Sequence, residues 1–386
     1  MKTTTKRRLP LMRGFAAAVV LALGTSVLAP TLATAAPTPP KPNGPCQPLS
    51  KSVKIGTSLY SCVKTDLNQF RWVKALYNVD CKSKPSKMVK IRMAALPILS
   101  NAAYYLGVEK GFFYKQGLDP EIQQVASPAA ALASLGGGQT DFAFSTVITF
   151  FTATDAGMAI KFVAPAAGIR PKAYEKYLAR VPGYTSDTTA MLVMANSGIN
   201  RPKDLEGKVV TVLARGDQSE ITMAQTIRKD GGDPSRVRWV PLGLADGINA
   251  LVAGKVDAAF GVDPLNDKAV SQGAKVLAYP GLVTFQEGTT SGWAATNKYI
   301  DANKETVARF ACAVAESNQY ANEHPIEVKA KSADISKQPF ESLKLAVVPR
   351  FYKAVSAVDL KRTGDLMAQL GYIKRAPNYA QAILLP

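Results

Sequence analysis

The sequence contains a single histidine, His324, and only four cysteines among its 386 residues. None of the cysteines stand in a C-x-x-C spacing, and this absence excludes the usual sequence pattern of a structural metal site. A G-x-S-x-G motif is missing as well, so the chain lacks the serine nucleophile elbow of α/β-hydrolases. The residues therefore predict neither a metal nor a cofactor.

Acidic residues are scarce, 29 against 47 lysines and arginines, and the formal net charge is +18. The basic residues are dispersed, without the aromatic and basic clusters of nucleic-acid-binding segments, so nucleic acid is not a predicted partner. An anionic envelope surface, the steering of anionic solutes and a merely soluble surface all remain compatible with this charge.

No apolar run reaches the roughly 20 residues that a membrane span needs. Residues 1–35 instead read as an export signal, with a basic start, a short apolar stretch and an A-x-A ending at Ala35. No cysteine follows the cleavage site, so a lipid anchor is not expected. The predicted mature protein is free in the periplasm or secreted, and loss of five positive charges leaves 18 − 5 = +13.

A proline-rich linker is predicted over residues 36–45, followed by a small β module over 46–85. Within the module, "VKIGTSLYSCVK" and "QFRWVKALYN" read as two short strands flanking a turn. The four cysteines of an exported chain predict two disulfides with three possible connectivities. We favour Cys46 with Cys62 as a staple for the module, and Cys81 with Cys312 as a clip onto a later helix.

From Met88 onward, strands alternate with helices, which predicts an α/β protein with mostly parallel sheets flanked by helices. The segments "AAALASLGGGQTDFAFS" and "DGINALVAGKVDAAFGV" share a helix ending in glycine, an aspartate and an apolar strand. This repetition predicts two similar lobes with a cleft between them, at the carboxyl ends of the strands.

Five segments occur in the order found in one family: "YYLGVEKGFFYKQGLDPEIQQV", "ALASLGGGQTDFAFS", "NRPKDLEGKVVTVLARGDQS", "INALVAGKVDAAFGVDP" and "ANEHPIEVKA". From about residue 88 onward the chain resembles the periplasmic binding proteins for nitrate, sulfonates, taurine and pyrimidine precursors of thiamine. The resemblance implies a two-lobed type II fold, with crossovers near 189–197 and 288–297. Lobe one would comprise residues 86–190 and 290–386, and lobe two residues 191–289. It also implies a monomer that delivers a small solute to the permease and ATPase subunits of an ABC importer.

Candidate solute-binding residues are polar groups and glycines in the loops that follow strands or at the second crossover. They can cap a helix, expose backbone amides or donate hydrogen bonds. Arg215 is the sharpest candidate for an anion, since guanidinium grips a carboxylate or sulfonate with two bonds, although a solvated surface charge is equally compatible. The candidates are Ser100, Asn101, Ser127, Ser145, Thr146, Arg215, Gly216, Asp217, Ser219, Asp263, Thr289 and Thr290.

We predict a small organic anion as solute, with a pyrimidine or another nitrogen heterocycle as the alternative, since Asp217 and Asp263 suit amine or ring N–H donors. Enzymes related to this family are a sulfinate hydrolase and a pyrimidine synthase. The loop "LPILSNA" lacks the nucleophilic cysteine of the first, and the chain lacks the cysteine-rich motif of the second. The sequence therefore predicts that the chain is not an enzyme.

Overall fold

The computed structural model describes residue 45 and residues 53–55, 58–64, 70–74, 81–184, 187–343, 346–355 and 357–383. The predicted export signal lies outside these residues, and so does Cys46 of the predicted Cys46–Cys62 bridge, which is therefore not tested. Within them, no helix combines the length and the apolar character needed to cross a membrane.

The strands of the described residues are β1 (Val53–Ile55), β2 (Ser58–Lys64), β3 (Phe70–Lys74), β4 (Val89–Ala95), β5 (Leu118–Gln124), β6 (Phe142–Thr146), β7 (Ile160–Pro165), β8 (Ala167–Ile169), β9 (Thr189–Met194), β10 (Val209–Val212), β11 (Arg238–Pro241), β12 (Ala258–Val262), β13 (Ala274–Ala278), β14 (Gly288–Thr289), β15 (Ser291–Thr296) and β16 (Arg350–Phe351).

The helices are α1 (Ala102–Glu109), α2 (Phe112–Lys115), α3 (Pro128–Gly136), α4 (Val147–Asp155), α5 (Ala173–Leu178), α6 (Gln218–Lys229), α7 (Leu244–Val252), α8 (Leu265–Ser271), α9 (Pro280–Phe285), α10 (Asn297–Ala302), α11 (Lys304–Glu323), α12 (Pro325–Ser336), α13 (Ala357–Gln369) and α14 (Tyr379–Ala382). Short 3₁₀ turns cover Leu99–Asn101, Pro202–Leu205, Pro234–Arg236 and Phe340–Leu343.

Two five-stranded sheets organise the chain, in the orders β5-β4-β6-β15-β7 and β11-β10-β12-β9-β13. The sheets are built alike: β15 runs against its neighbours β6 and β7, and β9 runs against β12 and β13. The chain enters the second sheet through β9 and returns to the first through β15. The mostly parallel sheets and the predicted α/β fold are therefore confirmed.

Burial explains why these segments form strands. All five side chains of β6, "FAFST", are buried, as expected for a strand covered by helices on both faces. Aromatic packing joins the first sheet to α11: Phe310 stacks on Phe142 at a 3.7 Å ring separation, and its ring centre lies 5.6 Å from that of Trp293. Trp293 in turn meets the edge of Tyr104 at 4.5 Å.

A small sheet, β14-β8-β16, lies where the chain returns from the second sheet. Helix α13 holds this return segment. Asp359 accepts a hydrogen bond from the Thr289 backbone N–H at 2.8 Å, and Arg362 donates to the carbonyls of Phe285 and Glu287 at 2.9 and 2.8 Å. Gly288 has φ +95°, and a Cβ there would lie 2.3 Å from the Asp359 carboxyl carbon. Only glycine therefore fits between α13 and the return segment at this position.

The predicted disulfide between Cys81 and Cys312 is present, with a Cα–Cα distance of 5.5 Å, and this prediction is confirmed. It joins the stretch before β4 to α11. The buried Arg309 guanidinium donates to the Ser83 carbonyl at 3.2 Å, and the Gln116 amide donates to the Cys81 carbonyl at 2.8 Å. Covalent and hydrogen bonds therefore fasten the same stretch.

Two local predictions need correction. The pattern of "NAAYYLGVEKGFFYKQG" predicts one helix from the sequence, but the segment forms α1 and α2, because Gly111 between them has φ +79°, a left-handed conformation that ends the first helix. The stretch "VKIGTSLYSCVK", predicted as one strand, contains two: β1 pairs antiparallel with β2, which pairs antiparallel with β3.

Candidate functional site

A cleft of about 760 Å³, including the open solvent at its mouth, lies at the carboxyl ends of parallel strands from both sheets. The loops after β4 and β10 contribute, as do the ends of β6 and β12. Its lining residues are Leu96, Ile98, Ser100, Pro128, Phe144, Thr146, Ala167, Gly168, Ile169, Asp187, Thr188, Thr189, Leu213, Asp217, Gln218, Ser219, Leu244, Phe260, Val262, Gly281, Phe285, Thr290, Ser291 and Pro349.

Charge is distributed unevenly in this cleft. Its lining, as far as the structure describes it, includes two carboxylates, Asp187 and Asp217, and no lysine, arginine or histidine. Apolar side chains such as Phe144, Phe260 and Phe285 supply much of the remaining wall. The mixture of apolar walls with a few polar groups is typical of small-molecule sites.

The turn between β10 and α6 shows how the sequence places Asp217. Gly216 adopts φ +69°, which turns the chain after the strand. Asp217 then caps α6: its Oδ1 accepts hydrogen bonds from the backbone N–H groups of Ser219 and Glu220 at 2.9 and 3.2 Å, and from the Ser219 hydroxyl at 2.5 Å. Burial raises the pKa of Asp217 to about 6 in spite of these bonds.

Five of the predicted site residues line the cleft: Ser100, Thr146, Asp217, Ser219 and Thr290. Their contact with a solute stays a prediction. Four of them lie next to the carboxyl ends of β4, β6 and β10, the position from which they were predicted.

Other predicted residues lie outside the lining. Asn101 is buried and donates to the Leu96 carbonyl at 3.0 Å, and Ser127 caps α3 by accepting from the Ala130 N–H at 3.1 Å. Ser145 donates to the Thr146 carbonyl at 3.0 Å. The hydrogen bonds of these side chains are local, and a contact of these residues with a solute stays a prediction.

Gly216, Arg215, Asp263 and Thr289 are also outside the lining. Arg215 is 60% exposed, and its Nε and Nη2 donate to Glu220 at 2.7 and 3.2 Å. A nearby carboxylate thus occupies the guanidinium face that was expected to grip an anion. Thr289 is held at its backbone by α13, as described above.

Sequence reasoning missed Asp187 and Gln218. Asp187 precedes β9 in the polar run "TSDTT", beside the predicted crossover, and this run was the available signal. Its Oδ2 accepts from the Thr189 hydroxyl at 3.1 Å, and burial raises its pKa. Gln218 opens α6, and its Oε1 is buried without a hydrogen-bond partner among the described residues. A buried acceptor of this kind is costly unless a ligand or water satisfies it.

Asp263 is 4% exposed and accepts a hydrogen bond from the Asn266 side-chain amide at 2.7 Å. Burial raises its pKa to about 8. The Asn266 bond lowers this pKa, Asp267 and Asp187 raise it, and Lys329 lowers it. The folded protein therefore holds a proton on Asp263 at pH values where the unfolded chain has lost it.

We expect Asp263 to make the fold less stable as pH rises, because the unfolded chain loses this proton at lower pH than the folded protein does. Between about pH 4 and pH 8 the folded state binds more protons at Asp263, so this group lowers the free energy of unfolding by up to about 1.4 kcal/mol per pH unit. Asp263→Asn should remove that slope in urea unfolding at pH 5 to 8. Asp230→Asn is the control, because the ion pair with Arg201 lowers the pKa of Asp230 and its effect lies at lower pH. Identical slopes for wild type and Asp263→Asn would contradict the prediction.

Nowhere in the described part of the chain do three His, Cys, Asp or Glu side chains gather in a way that could hold a metal ion. Two similar α/β lobes, joined by two crossovers around a cleft at the strand ends, define the class of periplasmic-binding-protein folds. The family model described as NMT1/THI5 like matches residues 99–173 and 181–328. The chain belongs to this family, and the predicted resemblance is confirmed.

Among curated proteins, the chain is similar to the 4-amino-5-hydroxymethyl-2-methylpyrimidine phosphate synthase THI5 of Saccharomyces cerevisiae, with 23% identity over 287 residues, 70% of this chain and 78% of the relative. Among solved structures it is similar to the alkanesulfonate-binding protein SsuA of Xanthomonas axonopodis pv. citri bound to MOPS: TM-score 0.63, 16% identity, 78% of this chain and 99% of that chain. The nitrate-binding protein NrtA of Synechocystis PCC 6803 gives TM-score 0.63 and 14% identity over 78% of this chain and 86% of that chain. These structures show the fold.

The relatives correct one prediction. The sequence was expected not to encode an enzyme, because parts of two related active sites are missing. Sequence relatives that match 70% of the chain are named as synthases, and this finding overturns the expectation. The missing motifs belong to particular enzymes, so their absence says nothing about other catalytic arrangements on the same fold.

Proposed function

We propose that the chain is an extracytoplasmic solute-binding protein that holds a small, ring-containing solute rich in N–H donors in the cleft. The observation that carries the proposal is the set of acceptors there: the Asp187 and Asp217 carboxyls and the unpartnered Gln218 Oε1, with no cationic side chain in the described lining. Acceptors in an otherwise largely apolar cleft suit amino and ring N–H groups.

Export and delivery belong to the same proposal. The basic N-terminus with its A-x-A ending supports export, and the fold supports delivery of the solute to the permease and ATPase subunits of an ABC importer. Of the two solute classes predicted from the sequence, the lining favours the nitrogen heterocycle over the organic anion, since Arg215 is engaged by Glu220.

A thermal-shift panel tests the solute class. Aminopyrimidines, aminopyridines and purines should raise the melting temperature, while sulfonates and nitrate should not. At about 100 times the dissociation constant a ligand adds roughly 2.7 kcal/mol, which corresponds to about 4 °C for a chain of this size. Stabilisation by sulfonates alone would reverse the assignment and favour the organic anion.

Gln218 variants connect the result to this cleft. Gln218→Leu removes the acceptor and should weaken binding of the active heterocycle by roughly tenfold or more, the effect of one lost buried hydrogen bond. Gln218→Glu keeps an acceptor at the same place and serves as the matched control. Equal affinity of wild type and Gln218→Leu would place the heterocycle elsewhere.

A second candidate function is conversion of the bound solute, favoured by the synthase names of the curated relatives. Incubating the heterocycle identified above with purified protein, followed by mass spectrometry of solute and protein, separates the two. Binding alone leaves both masses unchanged, and catalysis alters at least the solute mass.

A further inference from the structure

The net charge of the chain is concentrated in one segment, because acidic residues are almost missing there. Residues 41–92 carry 11 lysines and arginines and only two acidic residues, a net charge of 11 − 2 = +9. The predicted export signal accounts for a further +5, which leaves 18 − 5 − 9 = +4 for the rest of the chain. The two lobes are therefore close to neutral, and the segment that leads into β4 is strongly basic.

The end of this segment, residues 81–90, is fastened to the surface beside α11 and α2. The Cys81–Cys312 disulfide joins its start to α11, and Arg309 donates to the Ser83 carbonyl at 3.2 Å. A Cβ on Gly117 would lie 2.4 Å from the Cβ of Pro85, so the middle of the stretch lies directly against the chain that follows α2. The side chains of this stretch are therefore presented from a backbone that is held along its length.

Lysines and large apolar side chains are exposed together on and beside this stretch. Met88 is 57% exposed, and Tyr114 of α2, three residues before Gly117, is 45% exposed. No acidic residue occurs between 81 and 92. We call the exposed set the basic patch, and its members are Lys82, Lys84, Lys87, Met88, Lys90 and Tyr114.

Acidic groups do not neutralise the centre of the basic patch. Lys84 and Lys87 form no ion pair with any residue that the structure describes. Asp119 lies opposite Lys90 in the register of β4 and β5, at the edge of the patch. The unpaired positive charge is therefore centred on Lys84 and Lys87, on either side of Pro85 and next to Met88.

We propose that the basic patch is a contact site for an anionic phospholipid membrane surface. Each lysine close to such a surface strengthens binding by about fivefold. Exposed methionine and tyrosine side chains among the lysines can enter the headgroup region, where an apolar body and a polar tip are both accommodated. These apolar members favour a bilayer over a soluble anionic polymer, which offers them no apolar phase.

The basic patch lies at the opposite end of the first sheet from the cleft. Lys87 precedes β4, whereas the cleft residues Leu96 and Ile98 follow it. The strand has seven residues and is therefore about 20 Å long. A membrane contact at the patch leaves the cleft unobstructed, so the inference does not depend on the solute.

Co-sedimentation of the purified exported protein with vesicles at pH 7 tests the proposal. Wild type should bind vesicles of equal parts phosphatidylcholine and phosphatidylglycerol, should not bind pure phosphatidylcholine, and should be released by high salt. The double variant Lys84→Gln, Lys87→Gln should bind the mixed vesicles roughly 25-fold more weakly, about fivefold for each lysine. Met88→Ser should weaken this binding by roughly threefold or more, because it removes apolar surface from the headgroup region.

Matched controls come from the second lobe. The double variant Lys255→Gln, Lys268→Gln removes the same charge from lysines that also form no ion pair among the described residues, and Val270→Ser shortens an apolar side chain that is 45% exposed. Both should stay within about twofold of wild type, because charges beyond the Debye length are screened.

Three results would overturn the proposal. An equal loss in the two lysine double variants would show that net charge alone attracts the protein to the vesicles. Equal binding to both vesicle types would show that the contact is not electrostatic. Binding of soluble polyphosphate as tight as that of the mixed vesicles, together with unchanged vesicle binding by Met88→Ser, would identify an anionic polymer as the partner.

Discussion

Replacing Phe310 by alanine is expected to lower the free energy of unfolding by about 3–5 kcal/mol. The Phe310 side chain is fully buried in α11, stacked on Phe142, and edge-on to Phe113 and Trp293. Removing the ring leaves a cavity between the helix and the first sheet that these rigid aromatic neighbours cannot fill. Urea unfolding followed by circular dichroism measures the change.

Phe340→Ala is the control, because this phenylalanine is 42% exposed. It should cost less than about 1 kcal/mol, as surface substitutions usually do. A comparable loss in both variants would mean that the stack on Phe142 does not hold α11 to the sheet.

Removing the Cys81–Cys312 disulfide, with both cysteines replaced by alanine, is expected to cost about 3–5 kcal/mol. The bridge spans a sequence separation of 231 residues, and loop-closure entropy for a loop of that length gives about 5 kcal/mol. The expected value is somewhat lower, because an unfolded chain that retains residual structure gains less entropy when the bridge is removed. Urea unfolding of the double variant measures the loss in free energy of unfolding. Omitting reductant keeps the oxidation state of Cys46 and Cys62 the same as in the wild-type protein.

A matched variant separates the bridge from its neighbours. Arg309→Gln in the disulfide-bonded protein removes the bonds to the Ser83 and Lys84 carbonyls and should cost less than the double cysteine variant. A disulfide variant that unfolds within about 1 kcal/mol of wild type would show that packing and hydrogen bonds alone secure this stretch.

The fold could be predicted from the sequence because its signals are local. Apolar strands such as "FAFST" and glycine-ended helices occur at regular spacing, and the repetition between the two halves predicts two lobes. The direction of β9 and β15 within their sheets could not be read this way, because an apolar segment has the same pattern in either direction. Gly111 shows the same limit at small scale, since a glycine in a helical pattern does not reveal its φ angle.

Part of the candidate site could be predicted from the sequence, because residues near the carboxyl ends of parallel strands lie at the cleft. Ser100 and Asp217 follow strands, Thr146 ends one, and all three line the cleft. The partners of arginines were harder to predict, because several neighbours can bind the same guanidinium. Glu220, five residues away, pairs with Arg215, whereas Arg170 packs on the ring of Tyr184, fourteen residues away. Pro349 reaches the cleft from a distant part of the chain, and no local pattern predicts such a return.

The position of the Cys81–Cys312 bridge also decides what a cut in the chain can do. The whole second sheet, from β9 to β13, lies between the two cysteines in sequence. A protease that nicks any surface loop of that lobe would leave both fragments covalently joined, so the nicked molecule would migrate as one species until it is reduced.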